Sequence, residues 1–513
     1  METKNSSLFQ TLQSDIEKTL RSYQFKGFIF EQGVILKISA SVLIAKGISN
    51  SFCGEMIQIN RDSLAYVFGF IANDLVQLIL LQEGSPVHTG DPIFRTGKSL
   101  HIAVGRSLLG RVVSPIGIPL DGKGEIVTNH YRNIEQTAPS VMERKPVDEP
   151  LHTGIKVIDS MIPIGKGQRE LIVGDRQTGK SALLIDTILT QAKTETINIF
   201  VAISQRSSTI ASIIRTLTNK DAIQNTIFIV SLAEDPASLR YIAPFAGAAV
   251  AEYFASMGKD VLVMYDDLSK HAEAYREISL LLRRPPSREA YPSDIFYLHS
   301  RLLERAGSFH ESIGGGTITA LPVVETLGGD ISQYIPTNLI SITDGQIYLE
   351  KNMFNAGLRP AINVGLSVSR VGSSAQTKAM KKVSSGLRLE LSQYSDLKAF
   401  TEFGTELDTE TKAKLTKGEQ LVEIMKQNDL APIEIEKQIL LLFAFKNNLM
   451  KSVPVAKTIL YQEQLYRFMK SRYPRFVSIL ETKKEISSNL EKALLRVIQK
   501  FTQTFVKTEN ESI

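Results

Sequence analysis

The sequence predicts a multidomain chain: an N-terminal β-barrel, a central α/β domain around a parallel sheet, and a C-terminal α-helical bundle. Three observations carry this. Short alternating stretches punctuated by turn residues fill the first hundred positions. Continuous apolar runs then alternate with amphipathic ones, the pattern of strands buried on both faces by helices. The last part is rich in Leu, Lys and Glu and holds no glycine after Gly418.

In chain order, residues 1–25 hold a helical segment. Leu8, Leu12, Ile16 and Leu20 recur every four positions, which predicts a short helix over 6–22. Residues 26–96 form the barrel: 34-VILKIS-39 and 55-EMIQIN-60 alternate, and Gly33, Gly54, Asn60-Arg61-Asp62 and Gly84 interrupt them. Residues 97–380 form the α/β domain, with strands at 171-LIV-173, 197-INIFVAI-203, 226-TIFIVSL-232 and 260-DVLVMYDD-267. Residues 381–513 form the helical bundle.

At 513 residues the chain can bury a large core. With 43% hydrophobic and 22% charged residues its composition is globular, and a net charge of +5 is too small to argue for nucleic acid or anionic lipid. Cys53, the single cysteine, forms no intrachain disulfide and fits a reducing compartment. The first twenty residues lack the apolar run of a signal peptide, and nowhere does an apolar run approach the ~18 residues that span a bilayer. The expectation is a protein that is soluble by itself.

The chemistry centres on 174-GDRQTGKS-181, a GxxxxGK(S/T) turn that follows an apolar strand and opens a helix, ALLIDTILTQA. Glycines let the backbone curl so that successive N–H groups converge on phosphate oxygens at the positive end of a helix. Gly174, Asp175, Arg176, Gln177, Thr178 and Gly179 make the cradle, and Lys180 reaches the terminal phosphates. The Ser181 hydroxyl and Asp266, at the end of the strand 261-VLVMYDDL-268, are the Mg²⁺ side of the site. ATP or ADP with Mg²⁺ is the expected ligand.

Hydrolysis needs a group that orients and deprotonates water. In many sheet-based ATPases it is a glutamate ending the strand beside the phosphate-loop strand. Here 199-IFVAISQRSS-208 offers Gln205, whose amide accepts a hydrogen bond but has no useful basicity. From the residues alone, an ordinary loop residue is an equal reading of Gln205.

Over nearly its whole length the chain resembles the α subunit of the F-type rotary ATP synthase. The resemblance rests on 105-GRSLLGRVVSPIGIPLDGKG-124, 153-TGIKVIDSMIPIGKGQRELIVGDRQTGKS-181, 265-YDDLSK-270, 279-SLLLRRPP-286, 295-IFYLHSRLLERA-306, 335-IPTNLISITDGQIYLE-350 and 358-LRPAINVGLSVSRVGSSAQ-376. It implies a RecA-like P-loop domain and a ring of three α and three β subunits around a γ shaft. It also implies a δ/OSCP-type peripheral stalk subunit held by residues 1–22. Membrane contact is then indirect, on the cytoplasmic, matrix or stromal face of an energy-transducing membrane, and no nucleic acid is involved.

The same resemblance assigns residues. The base pocket maps onto Arg176, Gln177, Phe354, Arg359, Pro360 and Gln427. Arg370 matches the arginine that enters the neighbouring β subunit's catalytic site, where a guanidinium stabilises phosphoryl charge in trans. Ser367 and Ser341 resemble serines lining that interface. The β sibling carries a glutamate where this chain has Gln205, so the resemblance implies a site that grips ATP without cleaving it.

The chain departs from the family pattern at several places. Ser39-Ala40-Ser41 stands for Gly-Asp-Gly, and Ser204, Ser287 and Ser293 stand for glycines. His271, Leu327 and Asp429 each replace a glutamine, the last in the base pocket. Serine for glycine matters where φ is positive, because a Cβ is costly there.

Two other readings compete. An autonomous hexameric ATPase motor of the same core, of helicase or secretion type, would itself be the catalyst. A helicase needs a basic or aromatic surface in its barrel, yet residues 26–94 hold only Lys26, Lys37, Lys46 and Arg61 as basic side chains. A secretion motor needs the glutamate that Gln205 replaces. A purely structural, nucleotide-stabilised ring protein would keep the phosphate loop and make Arg370 dispensable.

Overall fold

The computed structural model describes residues 31–72, 74–402 and 409–511; the helix expected over 6–22 lies outside them. The chain divides into two compact units that change over between Lys98 and Ser99.

The first unit is a closed barrel. Its strands are β1 (Gln32–Ser39), β2 (Val42–Lys46), β3 (Glu55–Ile59), β4 (Ser63–Ala72), β5 (Leu75–Gln82) and β6 (Pro92–Ser99), in the order β1-β2-β5-β4-β3-β6 with β1 pairing β6. Closure leaves no strand edge unpaired. The period-two pattern decides what points inward: in β3, Glu55, Ile57 and Ile59 are buried while Met56 and Gln58 are not. Glu55 is satisfied by Arg95, whose guanidinium donates to its carboxylate at 3.1 Å.

The second unit is built on a sheet whose main strands are β7 (Val112–Val113), β8 (Leu171–Gly174), β9 (Ile197–Gln205), β10 (Thr226–Leu232), β11 (Asp260–Asp266), β12 (Thr317–Glu325), β13 (Gly345–Leu349) and β14 (Val368–Ser369). Their order is β14-β13-β8-β12-β11-β9-β10-β7. All neighbours are parallel except β14, which runs antiparallel to β13. The central strands are largely apolar because both faces are covered; Ile199, Phe200, Val201, Ala202 and Ile203 of β9 are all buried. Helices α1 (Lys180–Gln191), α2 (Ser207–Asn219), α3 (Ala237–Ala255) and α4 (Leu268–Leu281) supply most of that cover.

From Leu387 onward the described chain is helical, including Thr409–Met425, Ile435–Lys446, Thr458–Arg472 and Ser488–Glu511. Its apolar faces join the core behind the phosphate loop, so that Leu184 and Ile188 of α1 share one hydrophobic cluster with Leu421, Leu440 and Leu494. A buried lysine stitches the two parts. Lys156 Nζ donates to the Lys426 carbonyl at 2.8 Å and to Gln462 Oε1 at 3.1 Å. Burial brings its ammonium down to about 7. Among the described residues no helix is long and apolar enough to cross a membrane.

Candidate functional site

Strand β8 is fully buried and delivers the chain into the turn Asp175–Gly179, from which α1 starts at Lys180. Two glycines are required by geometry. A Cβ on Gly174 would lie 2.7 Å from the Leu349 carbonyl, and Gly179 sits at φ +97° as the residue before the helix. Gln177 adopts φ +62° at the tip without being glycine. Thr178 Oγ1 donates to the Asp175 carbonyl at 2.8 Å and holds the turn closed. The Asp175 carboxylate accepts from Thr326 Oγ1 (2.7 Å) and from the Gly329 N–H (2.8 Å), tying the turn to the end of β12. Arg176 pairs with Glu325 at 2.9 Å.

Lys180 is buried and donates to the carbonyls of Gly174 (2.8 Å) and Asp175 (2.6 Å). Burial lowers its pKa, against the pull of Glu325, Asp267, Asp266 and Asp175. The ammonium thus stands at the mouth of the turn among acceptors that a phosphate would outcompete by charge.

Ser181 Oγ donates to Asp266 Oδ2 at 3.0 Å. Burial pushes the Asp266 carboxyl up to about 6 and that of neighbouring Asp267 to about 7. Two desolvated acids side by side favour an added cation. The donors are hard oxygens, and among the described residues no group of three or more His, Cys, Asp or Glu forms a metal cage. Such a partial shell suits Mg²⁺, which keeps waters and takes the rest of its ligands from phosphate. Ser181 and Asp266 therefore fit the ion expected from the sequence.

Gln205 ends β9, just past the point where Ala202 pairs with Asp266. Its Nε2 donates to the Asp266 carbonyl at 3.4 Å. The residue before it, Ser204, has φ +56° in a register break between Ile203 and Gln205. Of Ser204, Ser287 and Ser293, only Ser204 meets the costly backbone; Ser287 has φ −113° and Ser293 is not among the positive-φ residues. Ala40, in the β1–β2 turn, also sits at φ +50°.

Beyond the turn a pocket is lined by Phe354, Arg359, Pro360, Gln427, Asp186 and Asp429, with Thr178 and Gly179 at its inner end. The Arg359 guanidinium lies 4.8 Å over the Phe354 ring. Gln427 is buried and committed to backbone: its Oε1 accepts from Lys156 N–H (3.2 Å), and its Nε2 donates to the carbonyls of Gly154 (2.8 Å) and Ala431 (3.0 Å). Asp186 lines this pocket without having been read from the sequence. The available signal was its place on the apolar face of the helix that Lys180 opens.

The remaining expected residues stand apart. Arg370 follows β14, is exposed, and is fixed by its N–H donating to the Asp344 carbonyl at 2.8 Å. Its guanidinium makes no ion pair among the described residues. Ser341 is exposed and donates to the Asn338 carbonyl at 2.6 Å. Ser367 is fully buried; its Oγ donates to the Asn363 carbonyl and accepts from the Tyr348 N–H, so it braces the segment before Arg370 and presents no hydroxyl outward. Leu327 is 73% exposed. His271 is buried, its Nε2 3.0 Å from the Tyr241 carbonyl and its ring 5.6 Å from that of buried His299.

Comparison with known proteins covers most of the chain. Residues 154–369 match the ATP synthase alpha/beta family, nucleotide-binding domain, and residues 376–501 match the ATP synthase alpha/beta chain, C terminal domain. The ATP synthase subunit alpha of Petrotoga mobilis is 49% identical over 493 residues, 96% of this chain and 98% of that protein. The ATP synthase subunit alpha of Clostridium botulinum strain Alaska E43 is 48% identical over 501 residues, 97% and 99% of the two chains.

Proposed function

The chain belongs to the family of ATP synthase alpha subunits, and from that premise we propose that its own site holds Mg–ATP without turning it over while Arg370 serves a neighbour. The observation that carries the reading is Gln205 at the end of β9, where an amide stands beside Asp266. An amide cannot take a proton from water near neutral pH. Lys180, the turn N–H groups and Thr178 bind the phosphates. Ser181 and Asp266 hold Mg²⁺, which would supply charge neutralisation at the phosphate oxygens.

A guanidinium that is exposed and makes no ion pair among the described residues suits a group delivered to another subunit's phosphates. The partners are then β subunits in an alternating ring, a γ shaft, and a δ/OSCP-type stalk subunit bound through residues 1–22. In that setting ATP synthesis or hydrolysis is coupled to ion transport, with membrane contact made through the ion-translocating sector. The four segments 1–25, 26–96, 97–380 and 381–513 are the working parts: stalk contact, barrel, nucleotide domain and helical domain.

The experiment is co-expression with the β subunit of the same organism. The reading expects a purified αβ ring with ATPase activity that neither chain shows alone. A chain that forms an active ring by itself would support the autonomous motor instead.

A further inference from the structure

We infer that Arg169 is a positioning residue for Arg370: by occupying the Asp344 carboxylate it keeps that acid from capturing the Arg370 guanidinium, which stays available to a neighbouring chain. The inference rests on the proposal that Arg370 acts in trans. Its first support is strand register. β13 and β14 pair antiparallel, with Gly345 opposite Ser369 and Gln346 opposite Val368. The next pair outward in that register is Asp344 and Arg370, and the Arg370 N–H does donate to the Asp344 carbonyl at 2.8 Å. Residues directly opposite in an antiparallel pair bring their side chains together, and opposite charges placed so attract. Yet these two make no ion pair among the described residues.

The Asp344 carboxylate is already taken. Its Oδ2 accepts from the Arg169 N–H and Nε, both at 3.0 Å, and its Oδ1 from Nη2 at 2.9 Å. A two-pronged guanidinium grip with a backbone N–H added outcompetes a single exposed contact. The Asp344 N–H donates back to the Arg169 carbonyl at 2.8 Å, which locks the two residues side by side. Arg169 also reaches Glu304, whose other carboxylate oxygen accepts from Arg144 Nη2 at 3.4 Å. Two arginines and two acids thus balance without Arg370. The remaining acid of this corner offers no strong counter-charge either. Glu170 packs against Gly345, where a Cβ would lie 2.5 Å from its Oε2, and that oxygen accepts from Gln168 Nε2 at 2.7 Å. Burial raises its carboxyl well above the usual carboxylate range. Without the Arg169 side chain, the Asp344 carboxylate would lose its grip while only 28% exposed, with Arg370 as the cation directly across. The finger would then be held against its own chain.

The experiment measures steady-state turnover of assembled αβ rings carrying Arg169→Gln, Asp344→Asn or both. Arg169→Gln should lower kcat about fivefold with the KM for Mg–ATP little changed, because a cross-strand ion pair at the stronger end holds a guanidinium back by that factor. Adding Asp344→Asn removes the captor and should return kcat to the value of Asp344→Asn alone. A mere loss of packing would instead make the double variant the slower one. Wild-type turnover in Arg169→Gln, or a double variant no faster than Arg169→Gln, overturns the inference. Where the Arg169→Gln ring does not assemble, Arg169→Lys carries the same comparison, since lysine keeps the charge and loses the fork. Failure of both to assemble makes the clamp purely structural and overturns the inference too. The reading beneath it fails separately: normal turnover of an Arg370→Lys ring removes the finger itself.

Discussion

Gln205 Nε2 donates to the backbone oxygen of Asp266 at 3.4 Å, tying the end of β9 to the strand that carries the metal-side carboxylate. Both residues end neighbouring parallel strands, and the proposed function takes the amide to stand where a catalytic carboxylate would address a water. In the proposed reading, binding and cleavage are separated by that one functional group. The phosphate grip depends on backbone geometry around Gly174 and Gly179 and is untouched by it.

Gly174→Ala tests that geometry. The added Cβ would sit 2.7 Å from the Leu349 carbonyl and 3.1 Å from Thr178 Oγ1, so β8, β13 or the turn must shift. The expected cost is about 1–3 kcal/mol of stability, as for other overpacked cores, with loss of measurable Mg–ATP binding. Calorimetric titration and thermal unfolding check it; unchanged affinity would mean that the turn adapts without opening.

Ser204→Gly tests the departure with a backbone consequence. Serine at φ +56° carries a left-handed strain that glycine escapes. The substitution should raise stability by about 1 kcal/mol without changing nucleotide affinity. A lower melting temperature would show that Ser204 contributes contacts that outweigh its strain.

The local parts of this site were legible in the sequence because their physics is local. The run from Leu171 to Ser181 states strand, turn and helix within eleven residues, and apolar runs such as 197–203 declare strands covered on both faces. The three-part architecture followed from changes of periodicity. What sequence reading could not supply was the assignment of side chains whose partners lie 19 to 273 positions away. Gln427 is held by Gly154 and Lys156, Asp186 faces the loop at 429–431, and Ser367 turns inward against Tyr348.

Acid should destabilise the chain through its buried histidines. Burial lowers both pKa values, that of His299 to about 4 and that of His271 well below the ordinary range, and each ring is fully enclosed. The unfolded chain protonates them near 6.5, so their contribution is complete above that value and is lost as pH falls toward the folded pKa values. The limiting loss is about 1.4 kcal/mol per pH unit for each histidine. Melting temperature measured from pH 7 to pH 5 should fall less steeply for His271→Gln than for the wild-type chain. Parallel slopes would place the acid sensitivity elsewhere.

Arg370→Lys separates the two proposed roles of the chain. Lysine keeps the charge and loses the planar fork that contacts two phosphoryl oxygens. In an assembled αβ ring, turnover should fall on the order of 10²-fold or more, given that fingers supplied in trans are worth about 10³–10⁵. Nucleotide occupancy of this chain's own site should stay unchanged. Normal turnover in an intact ring would make Arg370 structural.

The most direct test of grip without cleavage uses the purified chain alone, titrated with Mg–ATP and assayed for phosphate release under the same conditions. Saturable binding that Lys180→Ala abolishes, with phosphate release no faster than in buffer, is the predicted result. Steady-state hydrolysis that Lys180→Ala abolishes would contradict it and make this site catalytic in its own right.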